Sequence, residues 1–155
     1  MAQRRRRWPW AFAKERQVAD MTDLAGGTLE ARIEYAARRK KDMNCCQAVL
    51  VAFADMLGKS EDELLRLGSG FGSGMGTMEG TCGALVGAIM VSSLLSPDGE
   101  ARNNSRAIMS RFKERCGGAT ICRDLKGIGT GKVLCSCEDC VRNAVLAAGE
   151  ALKIK

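Results

Sequence analysis

The apolar positions of the chain recur at helical rather than strand spacing. From residue 28 onward they return every three or four positions, which is the period of one buried helix face. The spacing predicts helices over residues 28–41, 45–57, 60–67, 82–95, 97–116 and 137–152, with a short helical turn at 120–127. We therefore expect an all-α fold, a single compact bundle of about six helices with a glycine-rich loop.

Capping residues indicate where these helices begin. Asn44 with Gln47, and Ser60 with Glu63, have the three-residue spacing of capping boxes. Ser96-Pro97 is a typical start for the long fifth helix, because proline fits the first helical position. The second helix should bury its apolar residues at 45, 49, 53 and 56.

The same reasoning places four cysteines in the first turn of a helix. They are Cys45 after Asn44, Cys82 after Thr81, Cys122 after Thr120, and Cys137 after Ser136. The partial positive charge of a helix start lowers the pKa of a thiol and favours the thiolate. We expect these four helix starts to converge, whereas Cys116 falls at the end of a helix.

Residues 68–80, GSGFGSGMGTMEG, contain six glycines in thirteen positions. They do not predict a helix interior, since each glycine costs about 1 kcal/mol relative to alanine. They do not match a nucleotide loop either, because no Lys-Ser or Lys-Thr follows and no three glycines fit GxGxxG. We expect Gly74, Gly76, Gly80 and Thr81 to line a cofactor site and to offer backbone amides to a cluster or an anion.

The apolar segment 82–95 predicts a buried core helix. Gly83 and Gly87 lie one turn apart on it, so a second backbone should approach closely there. The segment is shorter than the roughly 20 apolar residues that span a bilayer. The N-terminus also lacks the apolar stretch of a secretory signal. We expect no membrane span and a cytoplasmic location.

The chain has eight cysteines and no histidine. This composition excludes Ser/His and Cys/His catalysis as well as histidine metal ligands, so any metal site must be rich in thiolates. In a reducing compartment, many cysteines suggest metal binding or redox chemistry before structural disulfides.

The net charge of +6 is concentrated near the N-terminus. Residues 1–20 carry six Lys/Arg and two acidic residues, which leaves +2 for the other 135 residues. Residues 1–27 predict a flexible basic leader before a helical domain over 28–155. The arginine run beside Trp8 and Trp10 has groups that bind nucleic acid, but such runs are more often solvated arms. A nucleic acid partner is therefore not expected.

The segment Cys135-Ser-Cys137-Glu-Asp-Cys140 has the spacing of one zinc knuckle. A zinc ribbon needs a second CxxC, which the chain lacks, so zinc ranks below the other hypotheses. Cys45 and Cys46 are adjacent on a helix and point about 100° apart. We do not expect both of them in one site.

Four motifs occur in a specific order: Asn44-Cys45 with Gln47-Ala48-Val49, then Gly80-Thr81-Cys82-Gly83-Ala84-Leu85-Val86-Gly87, then Cys122-Arg123-Asp124-Leu125, and finally Cys137. Over roughly residues 28–152 they resemble the family of redox-active proteins named for the pattern C_GCAxxG_C_C, with Thr81 where that pattern has glycine. The family cysteines then correspond to Cys45, Cys82, Cys122 and Cys137. Cys140 is a rival for the last place, and Cys46, Cys116, Cys135 and Cys140 look additional.

The resemblance implies a redox role, since similar domains occur alongside redox cofactors and related modules in some cytochromes carry iron–sulfur centres. Our first hypothesis is that Cys45, Cys82, Cys122 and Cys137 bind an iron–sulfur cluster, or another thiolate-bound metal centre. Such a centre would exchange electrons with a redox partner protein. Whether the chain forms a homodimer is left open.

Two other hypotheses remain open. The chain is a thiol–disulfide oxidoreductase or redox sensor if Cys82 attacks a disulfide and Cys45 or Cys122 resolves it. It is a non-catalytic helical scaffold if its cysteines only pack as small hydrophobic residues.

Overall fold

The computed structural model describes residue 24 and residues 27–155, and this part of the chain is helical without any strand. In chain order the helices are α1 (Leu29–Arg39), α2 (Cys45–Val51), α3 (Ala54–Leu57), α4 (Glu61–Gly68), α5 (Gly72–Met75), α6 (Gly83–Leu95), α7 (Ala101–Arg115), α8 (Cys122–Leu125) and α9 (Cys137–Ala151). A 3-10 turn, Ser69–Phe71, precedes α5. Six of the helices have seven residues or more, so the predicted all-α bundle of about six helices is confirmed.

Helices α6 and α9 form the centre of the bundle. α6 packs against α2, α7 and α9, and α9 packs also against α1 and α2. Along α6, residues 83–85, 87–88 and 91–92 are buried, and residues 86, 89 and 90 are partly buried against the core. Most of the circumference of α6 therefore faces other helices, which explains its continuous apolar sequence.

Gly83 and Gly87 let two backbone segments lie directly on α6, the 3-10 turn at Phe71 and helix α2 at Cys46. A Cβ atom at Gly83 would lie 2.5 Å from the carbonyl oxygen of Phe71, and one at Gly87 would lie 2.9 Å from the carbonyl oxygen of Cys46. Both distances are well below the separation at which non-bonded atoms attract each other. Close approach at these two glycines, predicted from their one-turn spacing, is present.

The helix expected over 45–57 is interrupted and forms α2 and α3. Arg32 of α1 is 3% exposed, and its guanidinium donates a 2.8 Å hydrogen bond to the carbonyl oxygen of Ala52. It also pairs with Asp55 at 2.6 and 2.7 Å. The Ala52 carbonyl thus accepts a hydrogen bond from helix α1 at the point where α2 ends. Met56, expected to be buried, is 41% exposed.

The start of α7 is also later than predicted. Ser96 caps the C-terminus of α6, and α7 begins at Ala101 with Glu100 as its N-cap. The amide of Glu100 donates to the carbonyl of Pro97 at 3.1 Å, and Gly99 has a φ of 85°. Pro97 therefore opens a turn rather than a helix, because Gly99 takes the left-handed conformation.

Most of the predicted leader, residues 1–27 with the arginine–tryptophan segment, lies outside the described residues. Leu24 is described and is 1% exposed, and its carbonyl accepts a 2.9 Å hydrogen bond from the amide of Gly27. The packed part of the chain thus includes a residue before the expected domain start at Thr28. In the described part of the chain, no helix combines the length and the apolar character needed to cross a membrane.

Replacing Gly83 with alanine should lower the free energy of unfolding by about 1–3 kcal/mol, the usual cost of overpacking. The added Cβ would meet a backbone carbonyl at 2.5 Å, which only a shift of the backbone can relieve. Urea unfolding followed by circular dichroism measures the difference. Gly70→Ala is the matched control, because a Cβ there meets nothing within 4 Å. Equal stability of the two variants would contradict the close approach of the Phe71 carbonyl to the start of α6.

Candidate thiolate site

The cysteines that capping singled out all lie at helix starts, and we call Cys45, Cys82, Cys122 and Cys137 the helix-start cysteines. Cys45 is the first residue of α2, where Asn44 and Gln47 form the predicted capping box. Cys137 is the first residue of α9, and the hydroxyl of Ser136 accepts the amide of Asp139 at 3.1 Å. These two helix starts agree with the capping predictions.

The predicted threonine caps are wrong at the other two cysteines. Cys82 is itself the N-cap of α6, and Cys122 is the first residue of α8, after Ile121. The cause is a short antiparallel pairing of residues 80–82 with 120–122, centred on a bridge between Thr81 and Ile121. The Cys82 amide donates to the Thr120 carbonyl at 2.8 Å, and the Cys122 amide donates to the Gly80 carbonyl at 3.0 Å. The pairing holds Cys82 close to Cys122.

The helix-start thiols form a closed ring of neighbours. Cys45 interacts most strongly with Cys137 and also with the charge of Cys82. Cys122 interacts with the charges of Cys82 and Cys137. Each thiol therefore has two of the others as electrostatic neighbours, although the four belong to α2, α6, α8 and α9.

Cys137 is the exposed member of the ring, and the other three are buried. Its hydrogen bond with Cys45 is the largest cause that lowers its pKa, followed by the charges of Lys126 and Lys40, and the resulting pKa is about 5. The pKa of Cys45 is raised in turn, chiefly by that same pairing. Cys137 is thus the thiol of the ring that ionises most readily, and it is the one that solvent can reach.

Cys82 is only 1% exposed but is also acidic for a thiol. A hydrogen bond with Cys140 is the largest cause that lowers its pKa, and the backbone amides of Ala84 and Leu85 and the charge of Lys126 lower it further, to about 7. The two amides belong to the first turn of α6, where unpaired N–H groups favour an anion.

Lys126 is the cation of this region. Its ammonium donates a 3.3 Å hydrogen bond to Cys140 Sγ and a 2.8 Å hydrogen bond to the carbonyl of Cys135. Burial lowers its pKa, but the charges of Cys140, Cys137 and Cys82 outweigh that effect, so the pKa is raised. The lysine therefore stays protonated and stabilises several thiolates at once.

The glycine-rich loop covers Cys122. A Cβ at Gly74 would lie 2.7 Å from Cys122 Cβ, and Met78 Sδ lies 3.7 Å from Cys122 Sγ. The amides of Gly76 and Gly80, expected to face a cofactor, donate instead to the carbonyls of Gly72 and Gly74 at 2.9 and 3.2 Å. At these positions the loop contributes close packing rather than free amides.

Three cysteines that the resemblance leaves as additional form a second group, Cys116, Cys135 and Cys140, which we call the cysteine triad. All three are buried, and their sulfur atoms lie within 4.8 Å of one another. Within residues 24 and 27–155, no other set of three or more candidate metal ligands is as close. Capping does not indicate this group, because Cys116 ends a helix and Cys135 precedes one. The Cys135–Cys140 knuckle spacing is the signal that points to it.

A family model described as "Putative redox-active protein (C_GCAxxG_C_C)" matches residues 43–151. This range contains all four helix-start cysteines, the glycine-rich loop and the triad. Neither a curated protein nor a solved structure matches the chain. The resemblance stated from the motifs is confirmed by the family match.

The acidity of Cys137 predicts how the metal-free, reduced protein reacts with iodoacetamide. Because its pKa is about 5, the alkylation rate of Cys137 should rise through about pH 5 and level off by pH 7. The alkylation rate of an ordinary thiol, with a pKa of about 8.5, would still rise about tenfold per pH unit over this range. Peptide mass spectrometry between about pH 4 and 9 gives the rate at this residue.

Cys45→Ala should raise the pKa of Cys137, because it removes the hydrogen bond that lowers it most, and should slow alkylation at pH 6. Cys46→Ala is the matched control, since Cys46 is adjacent on α2 and interacts with Cys82 instead. If the alkylation rate of Cys137 depended on pH in the same way in both variants, the Cys45–Cys137 pairing would be contradicted.

Proposed function

The chain belongs to the C_GCAxxG_C_C family of redox-active proteins, and from this premise we propose that Cys45, Cys82, Cys122 and Cys137 bind an iron–sulfur cluster for electron transfer. The observation that carries the proposal is the closed ring of the four helix-start thiols, each supplied by a different helix. Packing cysteines would have no reason to gather at four helix starts.

The donor set fits such a centre. Iron–sulfur clusters in proteins are commonly held by four cysteine thiolates. The ring supplies four of the chain's eight thiols, and the chain has no histidine. In the described part of the chain, no three of the helix-start sulfurs lie within 4.8 Å of one another. A polynuclear centre can join thiolates that lie farther apart than those on a single ion, because several metal atoms lie between them.

The surrounding residues stabilise negative charge at the site and limit the access of water. Lys126 and the first turns of α2, α6 and α9 offset the charge of the thiolates. Gly74 and Met78 cover Cys122, while Cys82 and Cys45 are buried. When bound, an iron–sulfur cluster would accept and release single electrons.

The exposed edge of the site lies at Cys137. A redox partner protein would therefore approach the start of α9, where the distance from the surface to the ligands is shortest. The glycine-rich side, where Met78 lies over Cys122, is less suited to electron exchange because more of the chain intervenes.

Reconstitution tests this proposal. After anaerobic incubation with iron and sulfide, the full chain should contain iron and show a visible charge-transfer absorption. Cys45→Ser, Cys82→Ser, Cys122→Ser and Cys137→Ser should each lose most of the bound iron. Cys46→Ser is the control that should retain it, and Cys140→Ser decides between Cys137 and its rival. A colourless, iron-free wild-type protein would refute the proposal.

A second function, thiol–disulfide exchange, is favoured by the exposure and acidity of Cys137. Burial of Cys82 keeps a protein disulfide from reaching it, so Cys137 is the better nucleophile than Cys82 in this scheme. The Cys137 thiolate attacks one sulfur of a substrate disulfide and expels the other as a thiolate. Cys45 then attacks the Cys137 sulfur, which releases the second substrate thiolate and leaves a Cys45–Cys137 disulfide. A dithiol reductant must restore both thiols.

This second function predicts that Cys137→Ser lowers the rate of disulfide reduction at least about 100-fold, as expected when a nucleophile is removed. Cys82→Ser should leave the rate close to that of the parent, and Cys46→Ser serves as control. The measurement is turnover of a peptide disulfide with a dithiol reductant. A Cys137→Ser variant with the parent rate would exclude this mechanism, and a loss confined to Cys82→Ser would make Cys82 the nucleophile.

A further inference from the structure

The cysteine triad joins three separate parts of the chain. Cys116 is the C-cap of α7, Cys135 lies in the loop before α9, and Cys140 lies in the first turns of α9. Cys135 Sγ and Cys116 Sγ are 3.4 Å apart, and all three sulfurs lie within 4.8 Å of one another. None of the three is a helix-start cysteine, so the family pattern does not account for their proximity.

The spacing of the triad suits a single metal ion. With a metal–sulfur distance of about 2.3 Å and tetrahedral angles, two thiolates on one ion lie about 3.8 Å apart. The triad is therefore close to the required arrangement without movement of the helices. Thiolate ligands select soft or borderline ions such as zinc and exclude magnesium and calcium, which prefer oxygen.

Hydrogen-bond donors surround the three sulfurs. Lys126 Nζ lies 3.3 Å from Cys140 Sγ, and Asn143 Nδ2 lies 3.5 Å from Cys116 Sγ and 3.8 Å from Cys135 Sγ. Such outer donors orient metal ligands and stabilise their ionised form. Every thiol of the triad thus has a polar side chain directed at its sulfur, which mere packing does not require.

We propose that Cys116, Cys135 and Cys140 bind one divalent thiophilic ion, with Zn²⁺ as the natural occupant, at a site separate from the helix-start cysteines. Three thiolates and a divalent ion carry a net charge of −1, and the ammonium of Lys126 brings the buried site to neutrality. A monovalent ion such as Cu⁺ would leave a buried negative charge, which is costly.

The triad also has a route to solvent. Cys135 and Asn143 line a surface cleft of about 490 Å³, together with Arg142 and neighbouring residues. An ion can enter from this side, and water can fill the fourth coordination position that three protein ligands leave open. Cys140 also interacts with Cys82, so the zinc site lies directly beside the helix-start ring.

The test separates the two sites by mutation. In the reduced full-length variant Cys45→Ser/Cys82→Ser/Cys122→Ser/Cys137→Ser, Co²⁺ should bind at one equivalent, with the sulfur-to-cobalt absorption of three thiolates, and Zn²⁺ should displace it. Adding Cys116→Ser, Cys135→Ser or Cys140→Ser to this variant should weaken Zn²⁺ binding at least about tenfold. Adding Cys46→Ser should leave binding unchanged.

The reciprocal variant, Cys116→Ser/Cys135→Ser, guards against a variant that fails to fold, and it keeps Cys140, which also interacts with Cys82. After exposure of both proteins to Zn²⁺ and reconstitution with iron, it should contain one zinc fewer than the wild type and the same amount of iron. If the variant lost iron but kept all of its zinc, the zinc site would be refuted, whereas the proposed iron–sulfur centre would still stand. Absence of zinc from the reduced wild-type chain, with a Cys116–Cys135 disulfide on mild oxidation, would overturn the zinc site.

Discussion

Helix starts that lie close together bring partial positive charge into one region, and negative charge there stabilises them. The first turns of α2, α6 and α9 direct unpaired amides and partial positive charge toward the same region, and Lys126 adds a full positive charge. Thiolates are the anions that this chain supplies, since no carboxylate occupies the ring. The arrangement of the helices and the acidity of the cysteines are therefore two aspects of one electrostatic balance. Substitutions that remove the anions should disturb the packing of the helix starts as well as any bound metal.

Close backbone contacts make that convergence sterically feasible. Gly83 and Gly87 allow α2 to lie against α6, and the antiparallel pairing of 80–82 with 120–122 holds Cys82 and Cys122 together. Gly74 lets the loop approach Cys122 to a distance that a side chain would prevent. Few of the glycines between 68 and 87 can thus be replaced by another small residue without a clash or backbone strain.

Sequence reasoning succeeded where the determining contacts are local. The capping boxes at Asn44 and Ser60 and the cap at Ser136 each link residues three apart, so the pattern alone places them correctly. It failed at Thr81 and Thr120, because a pairing between residues about 40 apart replaces the threonine caps. It failed again at Met56, which is exposed: the expected helix is interrupted at Ala52, whose carbonyl accepts a hydrogen bond from Arg32 of another helix. The triad was within reach only in part, because the knuckle spacing relates Cys135 to Cys140, whereas tertiary packing alone adds Cys116.

Cys82 stands where serine, threonine or aspartate usually begins a helix, and α6 is the helix around which the others pack. If the first turn of α6 stabilises the thiolate of Cys82, thermodynamic linkage requires that the thiolate stabilise the first turn of α6. Oxidation or metal ligation of that sulfur therefore changes the free energy of the central helix itself. In a cell, where proteases remove chains according to how often they open, the chemical state of this one sulfur atom would change how long the protein lasts.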